Sequence, residues 1–201
     1  MKCMKDVRDF VPKKQTVDEL VKQLKQTSFN ARNLGDAVDI LEEMIRDKNC
    51  TKFLGLSGAL VPAGMRSCVI EMVKNKWIDI IVSTGSNITH DLELAIGYKY
   101  YPCNPNEVDD VGMKKKGYSR IYDVYSETET LAAVEKDAQR ILKDIPKGSY
   151  STFEIVNEVG KRLKAENSIV KTAYENDVKI IIPAFFDSIF GFQVWMNSQA
   201  V

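Results

Sequence analysis

Three short stretches combine small, polar and acidic residues in a way that suits ligand binding: SGALVPAG (57–64), TGSNITHD (84–91) and PAFFDS (183–188). Gly55, Gly58, Gly64, Gly85 and Ser86 would let a ligand approach the backbone closely. A helix that opens directly after such a loop offers free N–H groups to a phosphate. Asp187 could accept hydrogen bonds from ribose hydroxyls. Together these residue types fit a dinucleotide. The spacing of Gly55, Gly58 and Gly64 does not match the GxGxxG fingerprint, so these glycines serve equally well as residues that make turns tight. His90 is the only histidine. It falls in the first turn of a predicted helix, facing away from the Ile88–Leu92 stripe, and is either an ordinary polar residue or a ligand contact. No serine or cysteine lies in a motif that would make it the base of a triad. Cys3, Cys50, Cys68 and Cys103 form no CxxC pair, so they read as reduced thiols and no metal site is expected.

Such loops form one site only if the fold brings them together. KFLGL (52–56), IDIIVS (78–83) and VKIIIPAFFD (178–187) are near-continuous apolar runs of the kind found in a sheet covered on both faces. Between the first two, Pro62 opens a helical stripe through Met65, Val69, Met72 and Val73. Strand, helix, strand makes a βαβ unit with parallel strands. TGSN is then the turn after the second strand, with Asn87 as N-cap of a helix that buries Ile88, Leu92, Ala95 and Ile96. In open α/β sheets, ligands bind beyond the carboxyl ends of the strands. The fold class expected is α/β: a Rossmann-like, mostly parallel sheet with helices on both faces.

Ahead of that region, residues 1–15 read as a polar arm. Thr16 and Glu19 form a capping-box pattern for a short helix. Leu34, Val38, Leu41 and Ile45 then mark one face of a second helix, and the two helices are expected to pack on a core. Residues 98–126 hold two prolines and a short acidic group and suggest an excursion with a hairpin. Lys114, Lys115 and Lys116 read as a solvated helix end before Gly117. Helices follow over 127–143, 151–164 and from Asn167 or Ser168 to about Asn176. The expected organisation is an arm and helices over 1–50 and a cofactor-binding region over 51–201, effectively one domain.

With 28 basic and 28 acidic side chains, the formal charge is +0, which gives no electrostatic reason to expect nucleic acid or an anionic membrane as partner. No apolar run approaches the ~20 residues of a membrane span, and the start has no signal-peptide pattern. The cytoplasm is the compartment expected.

FLGLSGALVPAGMR (53–66), IDIIVSTGSNITHDLELAIG (78–97), RIYDVY (120–125) and IIIPAFFDSIFG (180–191) occur in the order seen in the deoxyhypusine synthases, and TSFNARNLGDAVDI (27–40) fits their archaeal and bacterial branch. The chain resembles that family from about residue 10 to residue 195. The resemblance implies bound NAD and a homotetramer built from tight dimers. The reaction it implies moves a 4-aminobutyl group from spermidine to one lysine of a translation initiation factor: NAD takes a hydride from spermidine, an active-site lysine captures the butyl-imine, and the hydride later returns. Its NAD contacts would fall on Gly58, Ala59 and Leu60, on Thr84, Gly85 and Ser86, and on Asp187. The polyamine would lie at Thr89 and His90.

The pattern also departs from the family. Eukaryotic members carry carboxylates where this chain has His90 and Phe192. A cationic amine leaving water needs an anion or good acceptors, so a relative acting on another polyamine, such as a homospermidine-forming enzyme, stays open. The family's nucleophilic lysine lies in a glycine-rich motif with no counterpart here, so it is expected beyond Val201. The chain then reads as an amino-terminal part that gives no transferase turnover alone, or as a non-catalytic paralogue that supports an active subunit.

Overall fold

The computed structural model describes residues 6–199. Cys3 and the first five residues of the expected arm lie outside the described residues. The chain divides into two compact units, 1–50 and 51–201.

In the first unit, Thr16 caps α1 (Val17–Gln26) as its pattern predicts. The Thr16 N–H donates to Glu19 Oε2 at 2.8 Å and the Glu19 N–H donates back to Thr16 Oγ1 at 3.2 Å. The preceding segment is pinned along this helix, with the Arg8 N–H donating to the Gln26 carbonyl at 3.0 Å and the Val11 N–H to Gln23 Oε1 at 3.1 Å. α2 (Phe29–Arg46) follows and packs on α1. The expected core does not form there. α1 has no buried residue and α2 only Gly35, while Leu34, Val38 and Leu41 stay exposed. A pair of short helices has too little surface to enclose an apolar stripe.

The second unit begins with β1 (Phe53–Leu56), a wide π-type turn over Val61–Met65, α3 (Arg66–Lys74), β2 (Ile80–Ser83) and α4 (Gly85–Ala95). An excursion follows: β3 (Tyr100–Pro102), α5 (Asp110–Lys115), β4 (Tyr118–Ile121) and β5 (Val124–Glu127). Then come α6 (Glu129–Lys143), α7 (Thr152–Arg162), α8 (Ile169–Glu175), β6 (Lys179–Ile181) and α9 (Ile189–Gln199). β1, β2 and β6 form a parallel sheet in that order, in the register Leu56 to Ser83 and Val82 to Ile181. The excursion makes a separate antiparallel sheet, β3-β5-β4, and its Lys114–Lys116 run does end a helix before Gly117. The arrangement is Rossmann-like α/β. Its core joins Val69, Ile70 and Val73 of α3, Ile81 of β2, Ile88 and Leu92 of α4, Ile180 of β6 and Phe190 of α9.

α9 carries no helical signal in the sequence, because apolar residues surround it on all sides. Phe190 is fully buried, whereas Phe192 and Trp195 are exposed and stack on each other with ring centroids 5.6 Å apart.

Asp91 joins three helices. It is fully buried, and its two carboxylate oxygens take four donors. Arg66 Nε of α3 donates to Oδ1 at 2.7 Å. Ser168 Oγ donates to Oδ2 at 2.7 Å. The Ile169 and Val170 N–H groups, at the start of α8, donate to Oδ1 and Oδ2 at 3.0 Å each. A carboxylate at a helix N-terminus meets the unpaired N–H groups and the positive end of the dipole. Ser168 also caps α8 directly, accepting from the Lys171 N–H at 3.1 Å. Replacing Asp91 by asparagine strands the buried Arg66 guanidinium without its anion. Asp91→Asn is expected to lower stability by about 3–5 kcal/mol, read as an earlier denaturation midpoint at unchanged slope. A loss under about 1 kcal/mol, the scale of an exposed pair, would remove Asp91 from this role.

Candidate functional site

The SGALVPAG, TGSNITHD and PAFFDS stretches leave the carboxyl ends of β1, β2 and β6, which are neighbours in one parallel sheet and so deliver all three to the same end. The first two are tied through Asn87, which is buried. Its Nδ2 donates to the Ser57 carbonyl at 2.5 Å and its Oδ1 accepts from the Val61 N–H at 3.3 Å. Asn87 is therefore not the N-cap. Thr84 has that role, in extended conformation, with Oγ1 accepting from the Asn87 N–H at 3.4 Å. The cap moves because the Asn87 amide has two tertiary partners on the neighbouring loop. As a consequence, Gly85, Ser86 and Asn87 belong to the first turn of α4, and His90 to its second.

Gly58 lies against this turn: a Cβ there would come 3.3 Å from Thr84 Oγ1 and 3.8 Å from the Ser86 Cβ. On the other side, Gly85 touches the β6 loop. A Cβ on Gly85 would overlap the Ser188 side chain and lie 3.3 Å from the Phe185 carbonyl oxygen. Ser188 closes its own loop, donating from Oγ to the Phe185 carbonyl at 2.9 Å and accepting from the Gly191 N–H at 3.0 Å. Gly191 is equally tight, since a Cβ would run into the Phe185 carbonyl. The three loops thus meet around the first turn of α4.

Not every candidate residue faces solvent there. Thr84, Ala59 and Asp187 are exposed, Gly58, Leu60 and Ser86 are half-buried, and Gly85 lies beneath. Leu60 packs on the core. Thr89 is buried, and its hydroxyl donates to the Gly85 carbonyl at 3.1 Å and accepts from the Phe190 N–H at 3.4 Å, tying α4 to α9.

His90 points to a different set of partners. Its Nδ1 lies 2.8 Å from the Tyr100 hydroxyl and 3.3 Å from Glu93 Oε2, and Tyr100 also donates to Glu93. Burial, with the Glu93 carboxylate beside it, holds the Tyr100 phenol well above its usual range, so it keeps its proton. Glu93, Tyr100 and Asp91 do not emerge from the sequence as site residues. The i, i+3 spacing of His90 and Glu93 was a readable hint, whereas Tyr100 arrives from a separate sheet. Among the described residues, no group of three or more His, Cys, Asp or Glu stands close enough to hold a metal ion. No helix of the described residues is long and apolar enough to cross a membrane.

This end of the sheet belongs to a Rossmann-like α/β protein whose three loops meet at one helix start. The family model "DS: Deoxyhypusine synthase" matches residues 19–201, and the chain belongs to the deoxyhypusine synthase family. It is 38% identical over 184 residues to "Probable deoxyhypusine synthase 1" of Methanosarcina mazei, covering 92% of this chain and 58% of that protein. Identity to "Probable deoxyhypusine synthase 1" of Archaeoglobus fulgidus is 39% over 177 residues, covering 87% and 57%. A "Deoxyhypusine synthase-like protein" of Chlorobaculum tepidum is 36% identical over 184 residues, covering 89% and 52%. The chain spans a little over half the length of these relatives. The fold is also that of the crystal structure of a candidate deoxyhypusine synthase from Entamoeba histolytica, with a TM-score of 0.66 at 20% identity over 92% of this chain and 64% of that one.

The contact between Gly85 and Ser188 is testable alone. Gly85→Ala is expected to cost about 1–3 kcal/mol through overpacking, measured by chemical denaturation. In a Ser188→Gly background the alanine should cost less, with a coupling of at least about 0.5 kcal/mol. Additive losses would mean that the two loops do not press on each other there.

Proposed function

We propose that the chain carries the NAD-binding part of a deoxyhypusine synthase, the enzyme that transfers a 4-aminobutyl group from spermidine to a lysine of a translation initiation factor. The observation that carries this reading is the meeting of Gly58, Thr84, Ser86 and the Asp187–Ser188 loop around one helix start. These residues fit the cofactor. Gly58, Ala59 and Ser86 leave room for main-chain approach, and the first turn of α4 presents N–H groups to a pyrophosphate. Asp187, exposed at the same end, accepts from ribose hydroxyls. NAD, when bound, supplies the hydride acceptor. The residues of this chain hold it, and the Thr89–His90 stretch, with His90 as the accessible member, faces the polyamine. The assembly proposed is a homotetramer of tight dimers in the cytoplasm.

One specific observation favours a second reading. His90 stands where a carboxylate would serve a cationic amine best, which favours an amine other than spermidine.

Calorimetric titration with NAD tests the first claim. Saturable binding is expected, and Asp187→Asn should weaken it about tenfold, the loss of one charge-assisted hydrogen bond. Absence of saturation, or equal affinity in the variant, would overturn the assignment. Separately, the NAD-loaded protein is offered spermidine, putrescine and agmatine while reduced nicotinamide is followed by absorbance. A signal with spermidine alone supports the synthase reading, and a stronger response to another amine favours the second.

A further inference from the structure

The pairing of Glu93 has a consequence for how a site built on histidine handles a cation. The Glu93 side chain is 3% exposed and that of His90 is 15% exposed, so the ring has access to solvent that the carboxylate lacks. Among the described residues, the side-chain partners of Glu93 are His90 and Tyr100. The nearby Arg66 is already engaged by Asp91. Buried carboxylates are usually matched by a cation or by several donors, and Glu93 has a phenol and an imidazole.

Counting protons settles the roles. The Tyr100 hydroxyl has one proton, which it gives to Glu93 Oε2. Its oxygen is then an acceptor toward His90, 2.8 Å away. For that contact to be a hydrogen bond, Nδ1 must carry the ring proton, shared more weakly with Glu93 Oε2 at 3.3 Å. In the neutral ring, Nε2 is left with its lone pair. The two rings meet edge to face, at 5.8 Å and 79°, which fixes the imidazole plane as well.

We propose that Glu93 and Tyr100 are positioning residues that hold His90 as its Nδ1–H tautomer. Nε2 then accepts a hydrogen bond from a substrate ammonium group, and Glu93 behind the ring supplies the negative charge that the amine requires. This rests on the reading that His90 faces the polyamine, and it adds the source of the countercharge, which the sequence leaves missing at this position.

Because the chain has one histidine, ring nitrogen spectroscopy of the whole 201-residue protein reports on this group alone. Long-range proton–nitrogen spectra, recorded where the imidazole is neutral, should show Nδ1 protonated and Nε2 bare. Tyr100→Phe should keep that tautomer, with Nδ1–H donating to Glu93 directly. Glu93→Leu, which removes the acceptor and frees the Tyr100 proton to donate to Nδ1, should move the ring toward Nε2–H. Adding spermidine to the NAD-loaded wild type should shift the Nε2 resonance, and in Glu93→Gln the amine affinity should fall at least tenfold. An Nε2–H ring in the wild type, read without any substitution, overturns the proposal. So does a tautomer indifferent to Glu93→Leu in a folded variant. If spermidine reduces bound NAD yet leaves Nε2 unmoved, this inference fails while the proposed function stands. If NAD does not bind and no amine moves Nε2, both fail.

Discussion

The buried carboxylate of Asp91 is the constraint on which the second unit depends. A charge removed fully from water must find compensation inside the protein. Here it finds a guanidinium from α3, a hydroxyl and two main-chain N–H groups from the start of α8. Each donor comes from a segment far away in sequence, so satisfying this one group fixes α3, α4 and α8 against one another. A hydrophobic contact at the same place would tolerate sliding. A four-donor carboxylate does not, because each hydrogen bond weakens steeply outside a narrow range of distance and angle.

That restraint matters because α4 carries Gly85, Ser86, Thr89 and His90 and is capped by Thr84. Its first turn meets the β1 loop through Asn87 and the β6 loop through Gly85. Thr89 ties its middle to α9. One residue later, His90 turns toward Glu93 and Tyr100, and the next, Asp91, faces the α3–α8 junction. Successive residues of a helix point about 100° apart, so one short stretch addresses the β1 and β6 loops, the Glu93–Tyr100 pair and a structural anchor at once. The antiparallel excursion contributes by bringing Tyr100 to His90 and Glu93.

Much of this was legible in the residues. The three apolar runs announced parallel strands, and the loops at their ends meet as that topology requires. Thr16 and Ser168 signalled their helix starts by type and position, since an N-cap is a local interaction between near neighbours. The failures have separate causes. Asn87 looked like a cap, but distant partners in the β1 loop took its side chain. The stripe of α2 looked like a core face, but the first unit has too little surface to cover it. α9 gave no period because it is apolar all round.

What the sequence alone determined is therefore what depends on neighbours within a few residues: the strands, most helix starts, the family pattern and the loops rich in small residues. What only the tertiary structure decided is which polar groups share a proton or a charge. Asp91 with Arg66 and Ser168, and Glu93 with His90 and Tyr100, are pairings in which burial raises the cost of an unmatched group. That cost is set by the enclosing elements, and no local pattern of residue types records it.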